Sequence, residues 1–274
     1  MYSLLQSMRA RGSAGDPLPM PFRALKDKDF LFRRGQFGLI CAGPGAGKSA
    51  FALAYTLKAS VPALYISSDS DAFEQLKRAI CMLTGVSQSV AARQILEGNL
   101  GSAKDALTAN PTRFDYSASP SLDDIEISVA AYEEVYGGYP DLIVIDNITN
   151  VRSGMSDSGD PFDGLEGLMD YLATMARETQ ACVLGLHHVT GPYNDSDRPI
   201  PLSGIKQQIG RVPTFVLTLH RPRDDRLGVS VVKYRGGRAD MSGRDFAELE
   251  FLGETMTVRD PQYSAASVPS EQPF

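Results

Sequence analysis

The stretch Ala42-Gly43-Pro44-Gly45-Ala46-Gly47-Lys48-Ser49 constrains this chain more than any other. It follows the apolar run Gly38-Leu39-Ile40-Cys41 and precedes a segment that reads as a helix through about Lys58. Strand, glycine-rich turn and helix in that order form a phosphate cradle. Glycines let backbone N–H groups close on oxygens with no Cβ in the way, and the following helix turns its positive dipole end to the same anion. The pattern is a Walker A sequence with Ala in its first position. The expected nucleotide-binding set is therefore Gly43, Pro44, Gly45, Ala46, Gly47, Lys48, Ser49 and Ala50. Lys48 would lie on the β- and γ-phosphates of ATP and Ser49 on Mg2+.

The surroundings of this loop predict the fold. Apolar runs at Ala63–Ser67, Leu142–Asp146 and Val183–Leu186 alternate with helical stretches from about Ala72 to Gly85, over 88–110, and over Phe162–Thr179. Short continuous apolar strands separated by helices indicate a parallel sheet covered on both faces. Thr112–Ser117, Phe215–Leu217 and Val229–Val232 read as further strands, and the segments AELEF and TMTV as an antiparallel edge pair. The expected class is α/β, a mostly parallel twisted sheet flanked by helices. Residues 1–21 read as a short helix, with Leu4, Leu5 and Met8 on one face, and a Pro/Gly linker. Residues 22–258 read as one domain and 259–274 as a polar, disordered tail.

Composition narrows the class further. With 27 basic and 33 acidic residues the net charge is −6, so no global basic field calls for nucleic acid, although a local basic loop would suffice. No apolar run approaches a membrane span. Three scattered cysteines and three histidines form no disulfide framework or zinc spacing, which points to a reducing, cytoplasmic setting.

Two carboxylate positions carry expected chemistry. Asp146 ends the most apolar strand about a hundred residues after the phosphate loop, where a Walker B aspartate would hold Mg2+ through water; alone, it could equally cap a turn. Hydrolysis needs a base or water-positioning group, and Asp69 and Asp71 follow the second strand. Asp71, just before Ala72, suits a helix N-cap, leaving Asp69 for chemistry, provided that the first two strands are neighbours.

The order of these motifs resembles the RecA-like ATPase core of the DnaB-type replicative helicases and the related RadA/Sms proteins, over roughly residues 22–258. The pieces are RGQFGLICAGPGAGKSAFALAYTLKA, YISSDSDAFEQLKRA, FDYSASPSLDDIEISVAAYEEVYGGYPDLIVIDNITNV, LGLHHVT and KYRGG. The resemblance implies that His188 senses the γ-phosphate; alternation allows only one of His187 and His188 to face the nucleotide. It also implies that Lys233 and Arg235 reach a neighbouring subunit's nucleotide, in a ring, expected to be a hexamer, or a filament. Two residues apart on a strand, they share a face. Without the other motifs they would read as a solvated basic edge. DNA, taken as single-stranded, would meet loops at Asn150–Asp160 and Gly191–Gln208, with Arg198, Lys206 and Arg211 as candidate contacts.

Departures from that family are equally visible. Asp69 replaces a glutamate and is one methylene shorter. The N-terminal collar, zinc finger and protease-like tail of those proteins are not expected here. The leading expectation is an ATP-driven helicase-like motor in DNA replication. The alternatives are a RecA-like recombinase or recombination mediator, and a KaiC-like regulatory ATPase that does not touch DNA.

Overall fold

The computed structural model describes residues 15–152 and 161–262 of the chain. Among the described residues nine strands form one sheet in the order β3-β2-β4-β5-β1-β6-β7-β8-β9. The strands are β1 (Phe37–Ala42), β2 (Ala63–Ser67), β3 (Thr112–Asp115), β4 (Leu142–Asp146), β5 (Cys182–His188), β6 (Phe215–Arg223), β7 (Arg226–Tyr234), β8 (Phe246–Leu252) and β9 (Thr257–Arg259). β1 to β6 run parallel, and β7, β8 and β9 join antiparallel at one edge. Every residue of β1, β2 and β4 is buried, as expected of strands covered on both faces.

The helices are α1 (Arg23–Lys26), α2 (Lys48–Ala59), α3 (Ala72–Thr84), α4 (Gln88–Leu96), α5 (Ala103–Ala109), α6 (Leu122–Tyr136) and α7 (Pro161–Thr179). α2 packs in the core with Phe51, Leu53 and Tyr55; α7 covers the opposite face with Leu168, Met169 and Leu172. Their starts follow local chemistry. Asp71 caps α3 by accepting from the Glu74 N–H at 2.9 Å. Ser121 and Asp124 form a reciprocal capping box on α6. The helical stretch expected over 88–110 is two helices, because Gly98 and Gly101 take positive φ of 65° and 53° between them.

Described residues on both sides of the expected bounds, 22 and 258, pack onto the sheet. The expected linker up to Pro21 is packed from Gly15 onward. Leu18 and Met20 alternate with exposed prolines and are buried, and Leu18 N–H bonds Phe32 O. At the other end Asp260 accepts from the Arg23 and Ala24 N–H groups, both at 2.8 Å, and so ties α1 to the end of β9. The expected N-terminal helix over 1–12, most of the expected first DNA loop (153–160) and the tail from 263 lie outside the described residues.

Candidate nucleotide-binding and catalytic site

The loop after β1 takes the strained path that its glycines permit. Gly45 has φ 73° and Gly47 φ 106°, and Gly47 stands at the N-cap of α2. Among the described residues no side chain caps α2 and no carboxylate occupies its first turn. The first amides of that helix therefore stay available to an anion. Gly43 is required for a different reason: a Cβ there would lie 1.7 Å from the Asn194 carbonyl oxygen.

Lys48 is buried, its ammonium donating to the Ala42 and Gly43 carbonyls at 3.0 Å each. Burial pulls its pKa below the usual value, and Asp146 is the first charge to push back, ahead of Cys41 and Asp69. The Cys41 thiol is itself pushed up to about 12 by burial. It is neutral near pH 7, so the two carboxylates are what hold the Lys48 charge.

Asp146 closes β4 beside Ser67, the last residue of β2. The Tyr65 hydroxyl donates to Asp146 Oδ2 at 2.9 Å. Burial raises the Asp146 pKa, with Ser49, Tyr65 and Lys48 opposing. The Ser49 hydroxyl is near enough to favour the carboxylate, yet Asp146 Oδ1 is buried without a hydrogen bond of normal geometry. An orphaned carboxylate oxygen next to a hydroxyl suits a hard divalent cation, and Mg2+ commonly takes one or two protein oxygens with phosphate and water for the rest. Ser49 and Asp146 thus fit the ion expected from the sequence.

Asp69 comes to this site by a route that differs from the expected one. β1 and β2 are not neighbours; β5 and β4 stand between them. The loop after β2 instead folds over the end of β4, where the Ser68 and Asp69 N–H groups both bond Asp146 O, at 2.7 and 3.3 Å. This hook brings the Asp69 carboxylate within electrostatic reach of Lys48. Asn147 Nδ2 donates to Asp69 Oδ2 at 3.0 Å, and Asn150 Nδ2 bonds the other oxygen. The Asp146–Asn147 peptide is cis.

Asn147 is a residue that sequence reasoning missed. It is buried, and its Nδ2 also meets His188 Nε2 at 3.0 Å. Its Oδ1 accepts from the Thr149 N–H at 2.7 Å, so Nδ2 is the donor end. His188 Nε2 must therefore accept, which leaves the ring proton on Nδ1. Burial, then Lys48, lowers the His188 pKa, with Asp69 opposing. One amide thus joins the candidate base to the candidate sensor. His188 also stands beside Ala42 in the sheet. His187 points the other way: fully buried, it bonds Lys206 O at 3.1 Å, and burial lowers its pKa to about 4.

Ser196 was equally invisible in the sequence. Its hydroxyl accepts from the Gly43 N–H at 2.7 Å while its own carbonyl accepts from Arg221 N–H, so the segment after β5 is bolted to the start of the phosphate loop. A cleft of about 800 Å³ opens between them, lined by Pro44, His188, Thr190, Asn194 and Lys206 among others.

The structure separates the three expected DNA contacts. Lys206 lines that cleft. Arg198 folds onto the Pro192 carbonyl and the Tyr193 ring. Arg211 pairs with Glu166 at 3.6 Å, near the start of β6.

Lys233 and Arg235 lie at the far end of the sheet. Arg235 N–H bonds Thr214 O, and Thr214 N–H bonds Phe37 O at the beginning of β1. Gly43 follows Phe37 along an extended strand, roughly 20 Å away at ~3.3 Å per residue. Both cations share a face. Lys233 Nζ donates to Gly210 O and Arg211 O at 2.6 and 2.7 Å, and Arg235 Nη2 to Arg211 O at 3.0 Å. Burial, then Arg235, pushes the Lys233 pKa down to about 8.

Fold and site together define a RecA-like P-loop core with the architecture of DnaB-type helicase ATPase domains. The chain belongs to the AAA domain family, whose model matches residues 15–191. It is 59% identical over 265 residues to the Gene 65 protein of Mycobacterium phage L5, which spans 95% of this chain and 99% of that protein. A DnaB-like replicative helicase, described with its interactions with primase, superposes with a TM-score of 0.78 at 18% identity, over 94% of this chain and 67% of that one. A solved structure that consists of an ATPase domain alone is matched almost end to end, with a TM-score of 0.78 at 19% identity, over 94% of this chain and 96% of that one. Among the described residues no helix is long and apolar enough to cross a membrane.

Proposed function

We propose that this chain is a subunit of an ATP-hydrolysing motor that moves on single-stranded DNA, a helicase-like component of DNA replication. One observation carries the reading. Lys48, Ser49, Asp69, Asp146 and His188 gather at one end of the sheet, while Lys233 and Arg235 stand at the other, so a second copy is what completes the site.

In this mechanism the amides from Gly45 to Ala50 grip the triphosphate, and Lys48 leaves the Ala42 and Gly43 carbonyls for the β- and γ-phosphates. Ser49 and Asp146 hold Mg2+, which when bound neutralises phosphate charge. Asp69, steadied by Asn147 and Asn150, orients the attacking water and takes its proton. His188, reached through the same Asn147, registers the presence of the γ-phosphate and passes it to the segment after β5. Lys233 and Arg235 of the second copy meet the charge that develops on the transferred group, an effect worth several orders of magnitude in rate. Arg198 and Lys206 serve DNA from the segment bolted to the phosphate loop.

The test is ATP turnover with and without single-stranded DNA, followed by subunit mixing. Arg235→Ala and Lys48→Ala should each be inactive alone and partly active when mixed, because some interfaces then combine an intact loop with an intact cation. Absence of rescue at every ratio removes the shared site. Absence of DNA stimulation removes the motor reading and leaves an ATP-binding assembly.

A further inference from the structure

A second cavity, of about 290 Å³, opens at the far end of the sheet from the phosphate loop. Three guanidinium side chains line it: Arg177 from the end of α7, Arg211 from the segment before β6, and Arg235. Asp170 is the one carboxylate among its lining residues. Lys233 lies alongside, its ammonium on the same Arg211 carbonyl that Arg235 uses. Glu166 pairs with Arg211 from outside the cavity at 3.6 Å. Among the described residues three guanidinium groups and one carboxylate thus line the cavity, with Lys233 and Glu166 beside Arg211.

The bonding shows which charges are unanswered. Among the described residues Arg177 makes one side-chain hydrogen bond, to the Thr174 hydroxyl at 3.1 Å, and no ion pair. Arg235 likewise has a carbonyl and no carboxylate. Like charges gathered without counter-ions repel, and guanidinium forks match phosphate oxygens. The chain's own nucleotide cannot supply those oxygens, because its loop lies roughly 20 Å away along β1.

We propose that Arg177 and Arg211 join Arg235 in one phosphate-binding cavity that receives the triphosphate bound to a second copy of this chain. The proposal rests on the interface reading above and extends it by two residues. It also moves Arg211 from the DNA contacts to the nucleotide. Arg235 and Lys233 hold the Arg211 backbone through its carbonyl, which fixes where its guanidinium begins, and Arg177 reaches the same space from the end of α7.

The experiment compares Arg177→Gln/Arg211→Gln with Arg235→Gln in the full chain. Both side chains of the double variant are exposed, so folding is not at stake; an unchanged melting curve and an unchanged mass by light scattering verify that. The expected result is a turnover loss of roughly ten- to a hundredfold, as for removal of charge-assisted hydrogen bonds. Affinity for a fluorescent ATP analogue should be unaltered, and activity should recover on mixing with Lys48→Ala copies, which bring intact arginines. Lysine at both positions should restore part of the rate. Wild-type turnover in the double variant, with Arg235→Gln inactive, overturns the proposal while the interface reading stands. Wild-type turnover in both overturns the two together. Loss of single-stranded DNA affinity at wild-type turnover without DNA overturns it too, and makes the cavity a DNA phosphate site.

Discussion

At the scale of single residues the site is organised by two polar side chains that have no motif of their own. Asn147 donates to both Asp69 and His188, so it sets the distance between the candidate base and the candidate sensor. Asp69→Asn should therefore keep nucleotide binding within about threefold while turnover falls by roughly 10²–10⁴. Nucleotide titration beside steady-state ATPase reads both, and normal turnover in the variant would move the base elsewhere. Ser196 answers the buried Gly43 N–H. Ser196→Ala leaves that donor unpaired, at a cost of about 1–3 kcal/mol. The melting temperature should drop and ATP-analogue affinity should weaken several-fold; equal affinity in the two proteins would show that the bolt does not shape the loop. Neither residue was legible beforehand. Each acts on a partner many positions away in the chain, and nothing local to NIT or NDS marks it.

At the scale of elements the sequence was much more readable. Asp71 was recognisable as a cap from its place before a helical pattern, and both Asp71 and Ser121 accept the N3 amide that the capping geometry demands. Ser121→Ala should lower stability by about 1 kcal/mol without altering ATP binding, measurable by denaturant titration. A midpoint unmoved by the change would mean that α6 is held by packing alone. Two stretches at this scale differ from their composition, each for its own reason. The Pro-rich stretch before Phe22 looks like a linker by composition, yet Leu18 and Met20 alternate into the core. The helical run over 88–110 contains two glycines whose φ values break it, and its alanine-rich pattern hides the break.

At the scale of the whole molecule, burial governs the response to pH. His187 and His220 are almost wholly buried, and burial lowers each pKa to about 4, against 6.5 for a solvated ring. Between those values the unfolded chain binds protons that the folded chain does not, so stability rises with pH across the window. It is fully present above about pH 6.5 and declines as the pH falls toward 4. By pH 5.5 the loss should be roughly 1 kcal/mol per histidine. Urea midpoints at pH 7.0 and 5.5 measure it; coincident curves would mean that these rings find a proton acceptor in the folded state. The sheet's polarity is the other whole-molecule property. It sends Lys233 and Arg235 away from their own phosphate loop, and the proposed site between copies rests on that separation.

The phosphate loop, the strand ending in Asp146, the alternation of strands and helices and the antiparallel edge were all determined by residues adjacent in the chain. Local periodicity, glycine conformation and capping are short-range effects that a linear pattern carries in full. The order of strands was decided only in three dimensions. β4 and β5 lie between β1 and β2, so Asp69 arrives over the end of β4 rather than from a strand beside the loop. The division of Arg198, Lys206 and Arg211 among three places, and the meeting of Arg177 with Arg235, were decided there as well. Packing brings together groups far apart in the chain, and which groups meet depends on how the faces of every element fit at once.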